Sequence, residues 1–168
     1  MASAHAGYRA WLDPVIRLEF GAATVLFALT GLVMGAQIIA RMAFGLPMVW
    51  AEDITVFMFV WTTFLGAAVL YDRKQALAID TFVTLLSPRM QRRVALAVDV
   101  LLLVTLIYLC KLTWDFVAIQ RSMGHKLGGA TGIPSYVMTL SVLLAFISMT
   151  ASTVASLLER RSMAREGT

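Results

Sequence analysis

Residues 50–71 read WAEDITVFMFVWTTFLGAAVLY. Two adjacent carboxylates, Glu52 and Asp53, stand just after Trp50, and no charge follows from Ile54 to Tyr71. That uncharged run is 18 residues long, close to the shortest α-helix able to cross a bilayer. The composition around it points the same way. The chain has 168 residues, of which 60% are hydrophobic and 14% charged, and its mean hydropathy is +0.80. Soluble domains hold apolar residues near half and charged residues near a quarter of their composition. A chain of this size cannot hide such a surplus in one core, so the bilayer is the expected solvent.

Working outward from that stretch, four spans emerge: Phe20–Ala40, Trp50–Tyr71, Val94–Phe116 and one within Ile133–Leu158. Pro47 and Pro134 fall at the starts of the second and fourth, where a missing N–H costs a helix little. The first run, 21 residues, is too long for the apolar part of a signal peptide, so it is read as retained. Residues 8–18 mix Tyr8 and Trp11 with Arg9 and Arg17, as a segment lying at the headgroups does. Residues 78–93 hold an apolar run too short to cross, followed by a basic cluster; an ordinary loop is the other reading of it. The expected architecture is all-α: one integral membrane domain over residues 1–168, with four transmembrane helices and short interfacial helical segments.

Orientation comes from the flanks. Arg9, Arg17, Arg73, Lys74, Arg89, Arg92, Arg93, Arg160, Arg161 and Arg165 share one side, against Arg41, Arg121 and Lys126 on the other. The positive-inside rule then places both termini in the cytoplasm. A net charge of +4 raises nucleic acid as a partner, but apolar runs separate the basic residues, and their distribution fits membrane flanks and lipid instead.

Little catalytic chemistry is visible. Cys110 is the single cysteine, and His5 and His125 lie outside the spans, which leaves no paired ligands for haem or a metal and no cofactor site. No phosphate-binding loop or nucleophile elbow occurs. The ionisable residues within spans are Asp99, Lys111 and Asp115, each with a structural and a functional reading. Asp99 and Lys111 are too far apart along a helix to pair with each other. Lys111 and Asp115 have the spacing of helical neighbours, which favours a local ion pair, with outward snorkelling of Lys111 as the other reading; Asp99 shares a stripe with Arg92. Helix-contact signals are richer. Gly31 and Gly35 form a GxxxG step in the first span, and Ser148, Ser152 and Ser156 recur at four-residue steps in the fourth.

One resemblance joins these features. Trp50-Ala51-Glu52-Asp53, Trp61 and Phe64-Leu65-Gly66-Ala67-Ala68 resemble the second span of the small, DctQ-like membrane subunit of tripartite ATP-independent periplasmic (TRAP) transporters. Arg73, Ile79-Asp80, Pro88-Arg89, Arg92-Arg93 and Gly132-Ile133-Pro134 resemble further motifs of that family, in the same order. Ala76 stands where the family commonly has a His, and Leu140 and Ser141 where it commonly has a Pro. The resemblance implies a bacterial inner-membrane complex in which a periplasmic substrate-binding protein captures a solute, usually an organic acid. A large membrane subunit moves that solute on a sodium gradient, with sodium bound there. The small subunit then acts as a scaffold without its own substrate site.

Against that background Glu52 and Asp53 have two readings. They cap the positive end of an outward-starting helix, with Arg41 as counter-charge and Trp50 as interfacial anchor. Alternatively they also touch a partner, together with Trp61, Gly66, Gly31 and Gly35. The rival functions are a self-sufficient homodimeric transporter of four helices, which needs a carboxylate deep in a span, and a membrane redox enzyme, which needs paired Cys or His.

Overall fold

The computed structural model describes residues 12–45, 49–75, 87–127 and 131–166. Four helices account for almost all of them: α1 (Leu12–Phe44), α2 (Val49–Gln75), α3 (Pro88–Met123) and α4 (Tyr136–Glu166). All four are long and apolar enough to cross a membrane. At 1.5 Å per residue, α1 with 33 residues and α3 with 36 are about 50 Å or more in length. A hydrocarbon core is only about 30 Å thick. The helices therefore run beyond the spans expected from the sequence.

The ends of the helices follow from local chemistry. Ser87 precedes α3 in an extended conformation, and Pro88 takes the first helical position, where its fixed φ fits and its missing N–H is no loss. Gly124, at φ 64°, closes α3 in the left-handed conformation that an L side chain avoids. The connection to α4 is held by backbone pairing: Leu127 N–H donates to Ile133 C=O at 2.7 Å, and Ser135 N–H to His125 C=O at 2.9 Å. That pairing places residues 133–135 in the loop, and the fourth helix begins at Tyr136, within the expected stretch.

Two expected segments are redrawn. Residues 12–18 are the first turns of α1, continuous with the span and not a separate arm, while residues 8–11 lie outside the described residues. Residues 88–93 likewise open α3; residues 78–86 lie outside the described residues.

The helices pack in the order α1–α2–α4–α3, each mainly against its neighbours in that row. Its interior is small and polar where a soluble core is large and apolar. Ser141, Ala145, Thr153 and Ala51 are at most 1% exposed, while Phe27, Leu32 and Leu101 are about 70% exposed. Burying small residues and presenting Phe and Leu outward is the packing of a membrane protein, where lipid tails solvate the large side chains and close backbone approach holds the helices. Hydroxyls are satisfied within each helix. Thr30, Thr55, Thr105, Thr113 and Thr150 each donate to the carbonyl four residues back, at 2.7–2.9 Å.

Candidate functional site

The buried polar groups line α4. Ser141, Ala145, Ser148, Ser152 and Ala155 recur at steps of three and four and are all buried, so they form one face of the helix. Ser148 Oγ donates to Glu19 Oε2 at 3.0 Å, which joins α4 to the start of α1. Glu19 itself is buried, and Asp72 of α2 is close enough to repel it. Thr153 Oγ1 donates to Met149 C=O, so at 2.9 Å it receives the proton of the Tyr71 hydroxyl from α2. Nothing in the sequence marked Glu19 or Tyr71 as tethers; the four-residue recurrence of serines was the only visible signal.

Along the other side of α4 runs its seam with α3. Thr139 Oγ1 donates to Gln120 Oε1 at 2.7 Å, and Cys110 Sγ lies 3.9 Å from Thr150 Oγ1. The residues of α3 on this seam are Ala95, Asp99, Leu106 and Val117, one stripe of the helix. Asp99 is thus buried between helices of this chain.

The opposite end carries the residues with which the sequence reading began. Glu52 is exposed and Asp53 half-buried, and the two have different surroundings. Thr131 Oγ1, from the α3–α4 loop, donates to Asp53 Oδ2 at 3.2 Å. Asp53 therefore ties the start of α2 to a loop 78 residues on, while Glu52 points away from the chain's own contacts. Arg41 ends α1 on the same side and is exposed, but it forms no ion pair with either acid among the described residues. Exposed pairs are worth little, so a helix end does not need one. Trp50 is half exposed, and Trp61 packs its ring 5.9 Å from that of Phe57.

The expected Lys111–Asp115 ion pair is absent among the described residues; both side chains are exposed on α3. A Lys placed four residues before an acid is the weaker of the two helical orientations, which removes most of the driving force. The GxxxG step of α1 is also unused within the chain. A Cβ built at Gly31 or Gly35 would meet nothing within 4 Å, and the same holds for Gly66 on α2. The sequence reading named these glycines, Trp61, Arg41 and the start of α2 (Trp50, Glu52 and Asp53) as candidates; the structure brings Asp53 into contact with Thr131 but leaves Gly31, Gly35, Glu52 and Arg41 facing outward.

No group of His, Cys, Asp or Glu that could hold a metal ion occurs among the described residues. The fold and this distribution of polar groups define a multi-pass α-helical membrane protein whose polar chemistry is spent on holding its own helices. The particular family follows from comparison. Residues 30–162 match the family described as "Tripartite ATP-independent periplasmic transporters, DctQ component", and the chain belongs to it. A search of curated proteins gave no match.

Proposed function

We propose that this chain is the non-catalytic small permease subunit of a TRAP system in the bacterial inner membrane. It scaffolds the large membrane subunit during sodium-driven uptake of an organic acid delivered by a periplasmic binding protein. The observation that carries this reading is where the polar side chains go. Glu19, Ser148, Tyr71 and Thr153 bind one another between helices, and the threonine hydroxyls bind their own backbones. Among the described residues, none of these four lines the grooves at Phe20–Leu70 or Trp114–Ser122. A self-sufficient transporter would instead aim such groups at its substrate.

On this reading the outward features are the subunit contacts. Gly31 and Gly35 allow a helix of the large subunit to approach α1 closely. Trp50, Glu52 and Arg41 rim the same contact at the periplasmic end, Trp61 and Gly66 continue it along α2, and Asp53 holds the start of α2 to the α3–α4 loop. Lys111 and Asp115, exposed on α3, reach the headgroups, and Asp99 serves the α3–α4 seam. Both termini lie in the cytoplasm, because ten flanking Lys and Arg share that side against three on the other.

Two measurements test this. The purified chain in liposomes, given a sodium gradient and organic acids, is expected to transport nothing until the large subunit and binding protein are added. Robust uptake by the chain alone would replace this reading with the homodimeric transporter. Topology is checked by a Met90→Cys variant in a Cys110→Ser background, which should resist membrane-impermeant thiol reagents added to spheroplasts; labelling from that side would invert the orientation.

A further inference from the structure

We draw no further inference here: the strongest candidate, the apolar groove between α1 and α2 lined by Phe20, Phe27, Thr62, Gly66 and Leu70, carries none because nothing in the structure shows what covers it.

Discussion

Helices α1 and α4 carry the same kind of contact motif and use it in opposite ways. Gly31 and Gly35 on α1, and Ser148, Ser152 and Ser156 on α4, both set small residues at four-residue steps. In α4 Ser148 and Ser152 are buried and Ser148 reaches Glu19 of α1; a Cβ at either glycine of α1 would meet nothing within 4 Å. Of the most apolar window of each helix, 33% is buried in α4 and 11% in α1. The difference lies in position within the row, not in the motif. A helix with neighbours on two sides spends its small residues internally, while one at the edge keeps them for whatever adjoins the protein.

The sharpest way to break this comparison is to disturb the α3–α4 seam at its buried charge. Asp99 is buried on that seam, so Asp99→Ala should lower the stability of the isolated chain by about 3 kcal/mol, the usual cost of stranding what a buried charged group is bonded to. Thermal unfolding in detergent reads this, and Asp99→Asn should lose less than Asp99→Ala. A melting temperature equal to that of the native chain would show that the seam does not depend on the charge.

Next in size is a matched pair of insertions. Ala145→Leu puts bulk where the native side chain is fully buried and should cost about 1–3 kcal/mol. Gly35→Leu puts the same bulk into open space, so the isolated chain should unfold within about 0.5 kcal/mol of native. Its effect should appear only as reduced co-purification with the large subunit. If Gly35→Leu destabilised the lone chain as much as Ala145→Leu, the contrast between edge and centre would be lost.

The smallest effects separate the two acids of α2. Asp53→Ala loses the bond from Thr131 and should cost about 1–2 kcal/mol, because a hydrogen bond to a charged group is involved. Glu52→Gln should leave chain stability unchanged within about 0.5 kcal/mol while weakening assembly or uptake in the complete system. Native assembly and native uptake for Glu52→Gln would reduce that residue to helix capping.

The four spans were legible because an unbroken apolar run has few alternatives in water, and Trp50–Tyr71 alone came close to deciding the matter. Their ends were less so. Residues 12–18 and 88–93 are mixed in polarity, and a helix that extends past the bilayer looks the same in sequence as one lying along it. The tethers were not legible at all. Glu19 and Ser148 are 129 residues apart, and Thr131 and Asp53 are 78 apart, so no local pattern links them. The α1 and α4 stripes were both visible as motifs. Which of them is internal depends on the order α1–α2–α4–α3, which sequence spacing does not encode.

That order has a consequence for biosynthesis. The last helix to leave the ribosome is the one that joins the rest: α4 packs on α2 and on α3 and bonds to Glu19 of α1. Until Tyr136 onward is in the membrane, the nascent protein is an α1–α2 hairpin and a separate α3 with little to hold them together. A chain that stalls before this point exposes Asp99 and the Tyr71 hydroxyl to lipid, a defect that membrane proteases can recognise. The hairpin and α3 are therefore joined only once α4 has inserted, and the fold of the four helices closes at that step.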